Sequence, residues 1–145
     1  MLQFESLGLA EAEKAIAAGI AAATKLGRAM AFAVADHTGE MIATARMDGA
    51  NPRILRHSVR KAYTAALMCR HTLSFKRDLE ERHGALDQWG DADLTTLPGG
   101  LAVQKGEHFV GAVAAGSGGP HDEEVARAMM RGMGFETVED KRARS

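Results

Sequence analysis

The stretch LAVQKGEHFVGAVAA, from Leu101 to Ala115, decides the fold, and it runs directly into GSGGPHDEEVARAM, from Gly116 to Met129. The first part predicts a β-hairpin that turns around Lys105 to Glu107, and the second predicts a glycine loop followed by a helix with an acidic first turn. PGG, from Pro98 to Gly100, precedes the hairpin. Glycine weakens regular structure unless the backbone bends sharply or approaches another group closely, so we expect a ligand at this end of the fold.

A second hairpin is predicted earlier in the chain. Residues 29–35 alternate alanine with larger apolar residues, which is typical of a strand covered on both faces. We expect the alanine-rich first helix to cover its small face. The turn at His37 to Glu40 leads into a second strand over Met41 to Arg46. TGEMIATA and KGEHFVGA align at their Gly-Glu pairs, so the sequence predicts two hairpins of one antiparallel sheet.

Apolar residues at helical spacing predict four helices around this sheet. They are expected over Leu9–Leu26, Arg53–Arg70, from Thr72 to about His83 with Thr72 as its cap, and over His121–Met133, with an irregular segment over residues 84–96. The second helix is expected to bury a face made of Leu55, Val59, Ala62, Ala66 and Cys69. The predicted fold class is therefore α+β, in a single domain over residues 1–136 followed by a polar tail over residues 137–145.

Composition excludes several classes of function. The net charge is −1, which argues against a protein that binds nucleic acid through phosphate contacts. Cys69 is the only cysteine, so the chain can form no internal disulfide and no multi-cysteine metal site, and its histidines show no metal-ligand spacing. No signal peptide or membrane span is visible, so we expect a cytoplasmic protein without a membrane partner.

Four motifs, taken in order, resemble the GlcG/HbpS family, which includes the C-terminal domain of PduO-type proteins. They are ARMDGA (Ala45 to Ala50), RKAYTAA (Arg60 to Ala66), PGG, and GSGG followed by DEEVARA (Asp122 to Ala128). The resemblance covers nearly the whole chain. It implies a profilin-like α/β/α layered fold, a homo-oligomer, and a small-molecule ligand such as haem or a corrinoid.

The second helix carries the first candidate site. His57, Lys61 and Thr64 follow one another at i, i+4 and i+7, with Arg60 beside Lys61. This polar stripe is expected opposite the apolar face of the helix. It is either a solvated helix face or a cationic site for a carboxylate, in which Lys61 acts as charge partner or as a base. The family resemblance also implies a lysine here.

The glycine segments are the second candidate site. Gly116 to Gly119 form either a tight strand-to-helix turn or part of a small-ligand site lined by backbone amides. At least one of Gly116, Gly118 and Gly119 is expected to need a positive φ or close approach of a ligand. The pattern is neither a phosphate-binding Walker loop nor a dinucleotide fingerprint. The complete set of expected ligand-binding residues is Arg46, Arg60, Lys61, Thr64, Gly99, Gly100, Gly118, Gly119 and His121.

Three functions are compatible with these features. The leading hypothesis is a small-molecule-binding protein with an anionic ligand, in the sense of the resembled family. The alternative is a cofactor-independent hydrolase, deaminase or tautomerase of a catabolic pathway, acting on a small unsaturated carboxylate through Lys61 and His57. The third is an accessory subunit without chemistry of its own. We also expect a homo-oligomer, because a two-hairpin sheet would leave strand edges and methionine-rich helix faces uncovered.

Overall fold

The structure, a computed structural model, describes residues 1–137 as an antiparallel sheet between two layers of helices. The elements are α1 (Leu9–Lys25), β1 (Ala31–Ala35), β2 (Met41–Arg46), α2 (Pro52–Met68), α3 (Thr72–Glu81), a short 3-10 helix (Leu86–Trp89), β3 (Gly100–Lys105), β4 (His108–Gly116) and α4 (Asp122–Gly132). The predicted α+β, α/β/α layered fold is confirmed. None of the described helices is long and apolar enough to cross a membrane. Thr137 is buried, and the rest of the predicted tail lies outside the described residues.

The sheet consists of the two predicted hairpins joined through their inner strands. Its strand order is β2-β1-β4-β3, and each neighbouring pair is antiparallel. At the centre, Ala33 of β1 lies opposite Ala114 of β4. Asp36 closes the first hairpin because its carboxylate accepts hydrogen bonds from the backbone of Thr38 and Glu40, at 2.8 Å and 3.2 Å.

The two faces of the sheet differ in side-chain size, and the prediction that α1 covers the small face was wrong. The small face, with Ala33 and Ala35, packs on Ala62 and Ala65 of α2, not on α1. The large face, with Phe32, packs on α1 and α4 in the main core. Both α1 and α2 are rich in alanine, so composition alone did not distinguish them. The small face brings the backbone of α2 close to the strands.

The inward face of α2 also differs from the prediction. The residues that it buries are Ile54, Ser58, Lys61, Ala62, Thr64, Ala65 and Ala66. Leu55 and Val59, which were expected in the core, are only half-buried. Cys69 is exposed and ends the helix in the left-handed conformation with φ 51°. The helix is therefore turned so that part of the predicted polar stripe points into the protein.

The outer edge of β3 is bonded to the start of α3. Thr72 does not cap its own helix. Its Oγ1 accepts a hydrogen bond from the backbone N–H of Gly100 at 3.1 Å, while the Nδ1 of His71 accepts one from the N–H of Ala102 at 3.1 Å. Met129 and Met130 of α4 are buried in the main core. The first half of the β3 edge and these two methionines, which were expected to be uncovered, are therefore covered within the chain.

Candidate functional site

A cleft of about 440 Å³ opens beside the first half of α2, at the end of the fold where the glycine segments meet. Asn51 fixes the start of α2, because its side chain accepts a hydrogen bond from the backbone N–H of Arg53 at 3.0 Å. The cleft is lined by Arg53, Ile54, His57, Lys61, Leu97, Pro98, Gly116, Gly118, Gly119, Pro120, Asp122 and Glu123. The expected site residues His57, Lys61, Gly118 and Gly119 therefore lie together.

A buried ion pair forms the floor of the cleft. The Nζ of Lys61 lies 2.9 Å from Oδ2 of Asp122, and the two side chains are 4% and 10% exposed. The same Nζ donates to the backbone carbonyl of Ala115 at 3.0 Å. Ser117 donates from Oγ to the other carboxylate oxygen of Asp122 at 2.6 Å. This network ties α2 to the end of β4 and to the first turn of α4.

The position of Lys61 corrects the interpretation of the polar stripe. Lys61 is not on an exposed helix face but is 3% exposed overall. Because Asp122 neutralises its charge, Lys61 adds little net positive charge to the cleft. The free positive charge comes instead from Arg53, which is exposed, beside the half-buried imidazole of His57. Arg53 lies one turn before His57 on α2 and was not among the expected site residues.

Gly99 and Gly100 support the ion pair from behind. A Cβ on Gly99 would lie 2.7 Å from the carbonyl oxygen of Ala115 and 3.1 Å from the Nζ of Lys61, and the φ of Gly99 is +115°. A Cβ on Gly100 would lie 2.5 Å from the carbonyl oxygen of Lys61. Both glycines are buried and neither lines the cleft. Because neither glycine has a Cβ, the start of β3 can lie close to α2.

The glycine loop has the positive φ that was predicted for at least one of its glycines. Gly118 has a φ of +74°, and a Cβ on it would meet nothing within 4 Å. The backbone N–H of Gly119 donates to Oγ of Ser117 at 3.2 Å, so this amide already has an acceptor. The loop is therefore open at Gly118, where the need for glycine comes from conformation, whereas a Cβ on Gly119 would lie 3.0 Å from the guanidinium of Arg28.

Besides Gly99 and Gly100, four more of the expected ligand-binding residues do not line the cleft. Arg46 donates to the carbonyl of Ala50 at 2.8 Å, and Thr64 is buried and accepts from the N–H of Thr95 at 3.0 Å. His121 lies at the start of α4 with its Nδ1 3.2 Å from Glu124. Arg60 does not line the cleft and instead lines a separate depression with Val59 and Tyr63.

Asp122 has a second role that was not predicted from the sequence. Its place in the first turn of a helix indicated a role in complementing the helix dipole. In the structure its main partner is Lys61, which lies 61 positions earlier in the chain. The one signal in the sequence was that a lysine shares its helix face with small residues, Ser58, Ala62 and Ala65, which are typical of a helix packed closely on a sheet.

Comparison with known proteins defines the class. A family model described as haem degrading protein HbpS-like matches residues 7–131, so the chain belongs to the HbpS-like family. A crystal structure of HbpS from Streptomyces reticuli, a double mutant, is 29% identical with a TM-score of 0.82, and the match covers 90% of this chain and 89% of that chain.

Two further solved structures share the fold. Protein ORFY of Klebsiella pneumoniae is 24% identical with a TM-score of 0.85, and the match covers 92% of this chain and 94% of that chain. PduOC, solved as a complex with heme, is 20% identical with a TM-score of 0.81, and the match covers 91% of this chain and 98% of that chain. A search of curated proteins gave no match.

Proposed function

We propose that this protein binds a small anionic molecule in the cleft between α2 and the glycine loop, and that haem is this ligand. The observation that carries the proposal is the cleft itself, which joins Arg53 and His57 to apolar walls in a chain of the HbpS-like family. The family description names haem degradation, and the structurally similar PduOC was solved with heme. Both support haem as the first ligand to test.

The side chains of the cleft fit the chemical groups of haem. His57 offers an imidazole, which is a common axial ligand of haem iron. Arg53 offers a guanidinium, which pairs well with a carboxylate such as a propionate. Ile54, Leu97 and Pro98 offer apolar surface for a macrocycle. When bound, haem supplies an iron centre that changes oxidation state and takes up further ligands.

The Lys61–Asp122 pair has a positioning role in this proposal. It holds the loop after β4 against α2, so the wall that carries Gly118 keeps a fixed distance from the wall that carries His57. Because the ammonium of Lys61 and the carboxylate of Asp122 neutralise each other, neither needs a ligand to compensate its charge. The ligand contacts are therefore assigned to the rim and not to the floor of the cleft.

Titration with haemin tests the proposal, with visible absorbance as the readout. We expect a Soret band that saturates at one haem per chain. His57→Ala should change the position of this band, and Arg53→Ala should weaken haemin binding about tenfold, the effect of losing a charge-assisted hydrogen bond. His108→Ala is the matched control, because His108 is exposed and lies outside the cleft.

Three results would contradict the proposal. One is the absence of saturable binding. The second is unchanged binding in both cleft variants. The third is loss of binding in His108→Ala alone, since that would locate haem at the depression that His108 lines with His37. Replacement of haemin by cobalamin in the same titration tests a corrinoid as the ligand.

A second candidate function is a cofactor-independent enzyme acting on a small unsaturated carboxylate. The half-buried imidazole of His57 in the same cleft as Arg53 favours it, because a histidine beside a bound carboxylate is placed to act as a general acid or base. If the protein is such an enzyme, Arg53 binds the carboxylate of the substrate and His57 transfers a proton to or from the substrate. Ultraviolet assays with such carboxylates, in the absence of haemin, should then show turnover that His57→Ala abolishes and His108→Ala retains.

A further inference from the structure

A further guanidinium lies beside the glycine loop, on the segment that connects α1 to β1. Gly27 has a φ of +67°, and the backbone N–H of Arg28 donates to the carbonyl of Ala23 at 3.0 Å, which fixes the backbone of Arg28 at the end of α1. Ala31 of β1 lies opposite Gly116 of β4, so the chain around Arg28 reaches the same end of the sheet as the loop after β4. The helix end and the strand register thus hold Arg28, whose side chain is exposed, beside the glycine loop.

Gly119 provides the space for this side chain. A Cβ on Gly119 would lie 3.0 Å from Nη1 of Arg28. Gly118 needs glycine for its φ of +74°, but Gly119 has no left-handed φ, so its conformation does not require glycine. The missing side chain at position 119 instead gives the guanidinium of Arg28 room beside the loop. Since Gly119 also lines the cleft, Arg28 lies next to a residue of the cleft wall.

The two acids that line the cleft each have a cationic partner. Asp122 is neutralised in the buried ion pair, and Oε1 of Glu123 lies 3.7 Å from Nη1 of Arg127. In the described part of the chain, the side chains of Arg28 and Arg53 form no ion pair and no hydrogen bond, and both are exposed. Two positive charges that the described residues do not compensate therefore flank the glycine loop. They come from opposite helical layers, since Arg53 is on α2 and Arg28 follows α1.

We propose that Arg28 is a second ligand-binding residue of the cleft and that the ligand carries two carboxylates, which Arg53 and Arg28 bind from the two sides of the glycine loop. This inference rests on the proposed function and specifies the anionic ligand as a dianion. A carboxylate pairs well with a guanidinium through two parallel hydrogen bonds. A ligand with one carboxylate would occupy only one of the two guanidiniums, whereas a dicarboxylate matches both charges.

The glycine loop is low enough for one ligand to reach both arginines. Neither Gly118 nor Gly119 has a side chain, and a Cβ on Gly118 would meet nothing within 4 Å. The wall between Arg53 and Arg28 therefore consists of backbone alone at these two positions. Haem, with its two propionates, and a small dicarboxylate have the required chemistry in common. They correspond to the two candidate functions, so each serves as a probe.

Titration with haemin and with its dimethyl ester tests the role of Arg28. Arg28→Ala should weaken haemin binding about tenfold, the effect of losing one charge-assisted hydrogen bond. The Soret band of bound haemin should keep its position, because His57 is unchanged. The dimethyl ester carries no carboxylate, so Arg28→Ala should bind it as well as the wild type does. Arg77→Ala is the matched control, because Arg77 is exposed on α3 and lies outside the cleft.

Gly119→Ala tests the position of Arg28 without removing a charge. The added methyl group would displace the guanidinium, so haemin binding should weaken by up to about tenfold, as in Arg28→Ala. In Arg28→Ala the same change should have no further effect, because the two substitutions remove one interaction. Urea unfolding should show that Gly119→Ala is as stable as the wild type, since no left-handed φ strains it. Additive losses of binding would contradict the arrangement proposed for Arg28.

Small dicarboxylates test the same inference in a chain that does not bind haemin. Fumarate and muconate carry two carboxylates, and crotonate carries one. Each of the two dicarboxylates should raise the Tm of the wild type more than the Tm of Arg28→Ala, because only the wild type offers both guanidiniums. Crotonate should raise the Tm of the two proteins alike.

The inference and the proposed function fail in different ways. If Arg28→Ala bound haemin like the wild type while Arg53→Ala bound it weakly, the role of Arg28 would be overturned and the cleft would remain the site. Equal binding of haemin and its dimethyl ester by the wild type would overturn the requirement for two carboxylates. A chain that binds no haemin would refute haem as the ligand. The inference itself would then be overturned if the dicarboxylates stabilised Arg28→Ala as much as the wild type, or stabilised neither.

Discussion

Lys61→Ala should destabilise the protein strongly, because it leaves the carboxylate of Asp122 buried without its cation. It also leaves the carbonyl of Ala115 without the donor that lies 3.0 Å away. Removal of one member of a buried ion pair typically costs about 3–5 kcal/mol in the free energy of unfolding. Since 1 kcal/mol shifts Tm by about 2–4 °C for a domain near this size, we expect Tm to fall by about 10 °C.

The assay is urea unfolding followed by the fluorescence of Trp89, the only tryptophan, together with a thermal melt by circular dichroism. Lys105→Ala is the matched control. It removes a lysine from a pair with Glu5 whose side chains are 63% and 68% exposed, and its effect should be close to zero. Lys61→Met combined with Asp122→Leu should recover most of the loss, because no buried charge is then left alone.

One result would refute this reasoning. If Lys61→Ala cost no more than Lys105→Ala, the carboxylate of Asp122 would be able to recover hydration through the open cleft. The ion pair would then not hold the loop after β4 in place, and the positioning role assigned to it would be wrong.

Three further predictions follow from particular contacts. Gly118→Val should cost about 1–3 kcal/mol in urea unfolding, because a β-branched residue is strained at a φ of +74° even with open space around it. Gly99→Ala should cost more than Gly118→Ala, since its Cβ would also lie 2.7 Å from the carbonyl oxygen of Ala115. Tyr63, the only tyrosine, should ionise with a pKa of about 12, chiefly because it donates a hydrogen bond to Asp91, and Asp91→Asn should lower this pKa in an ultraviolet titration. Because folding raises this pKa, the contribution of the bond to stability is complete below pH 10 and is lost as the pH rises through 12.

The parts of the fold that local sequence patterns determine were predictable. Alternation of side chains and the two Gly-Glu turns predicted both hairpins, and the structure confirms them. A positive φ, or close approach of a ligand, was predicted for at least one of Gly116, Gly118 and Gly119, and Gly118 has the positive φ. These features depend on neighbours within a few residues.

The features that depend on distant residues were not predictable. Thr72 fits the local rule for a helix cap, but its hydroxyl contacts Gly100, 28 positions later. Lys61 fits the rule for a solvated stripe, but Asp122 and Ala115 make its burial possible. In each case a polar group found its partner only after the sheet brought the two together. The same reason applies to Thr64, whose partner Thr95 lies 31 positions later in the chain.

The bonds from His71 and Thr72 to the outer edge of β3 bear on how this protein avoids aggregation. Backbone N–H groups at the edge of a sheet act as a template on which an extended segment of another chain adds as a further strand. Here Gly100 and Ala102 give their N–H groups to side chains, so no incoming backbone can use them unless α3 first moves away. Replacement of Thr72 by valine should therefore increase fibril formation on prolonged heating, even if the unfolding temperature changes little.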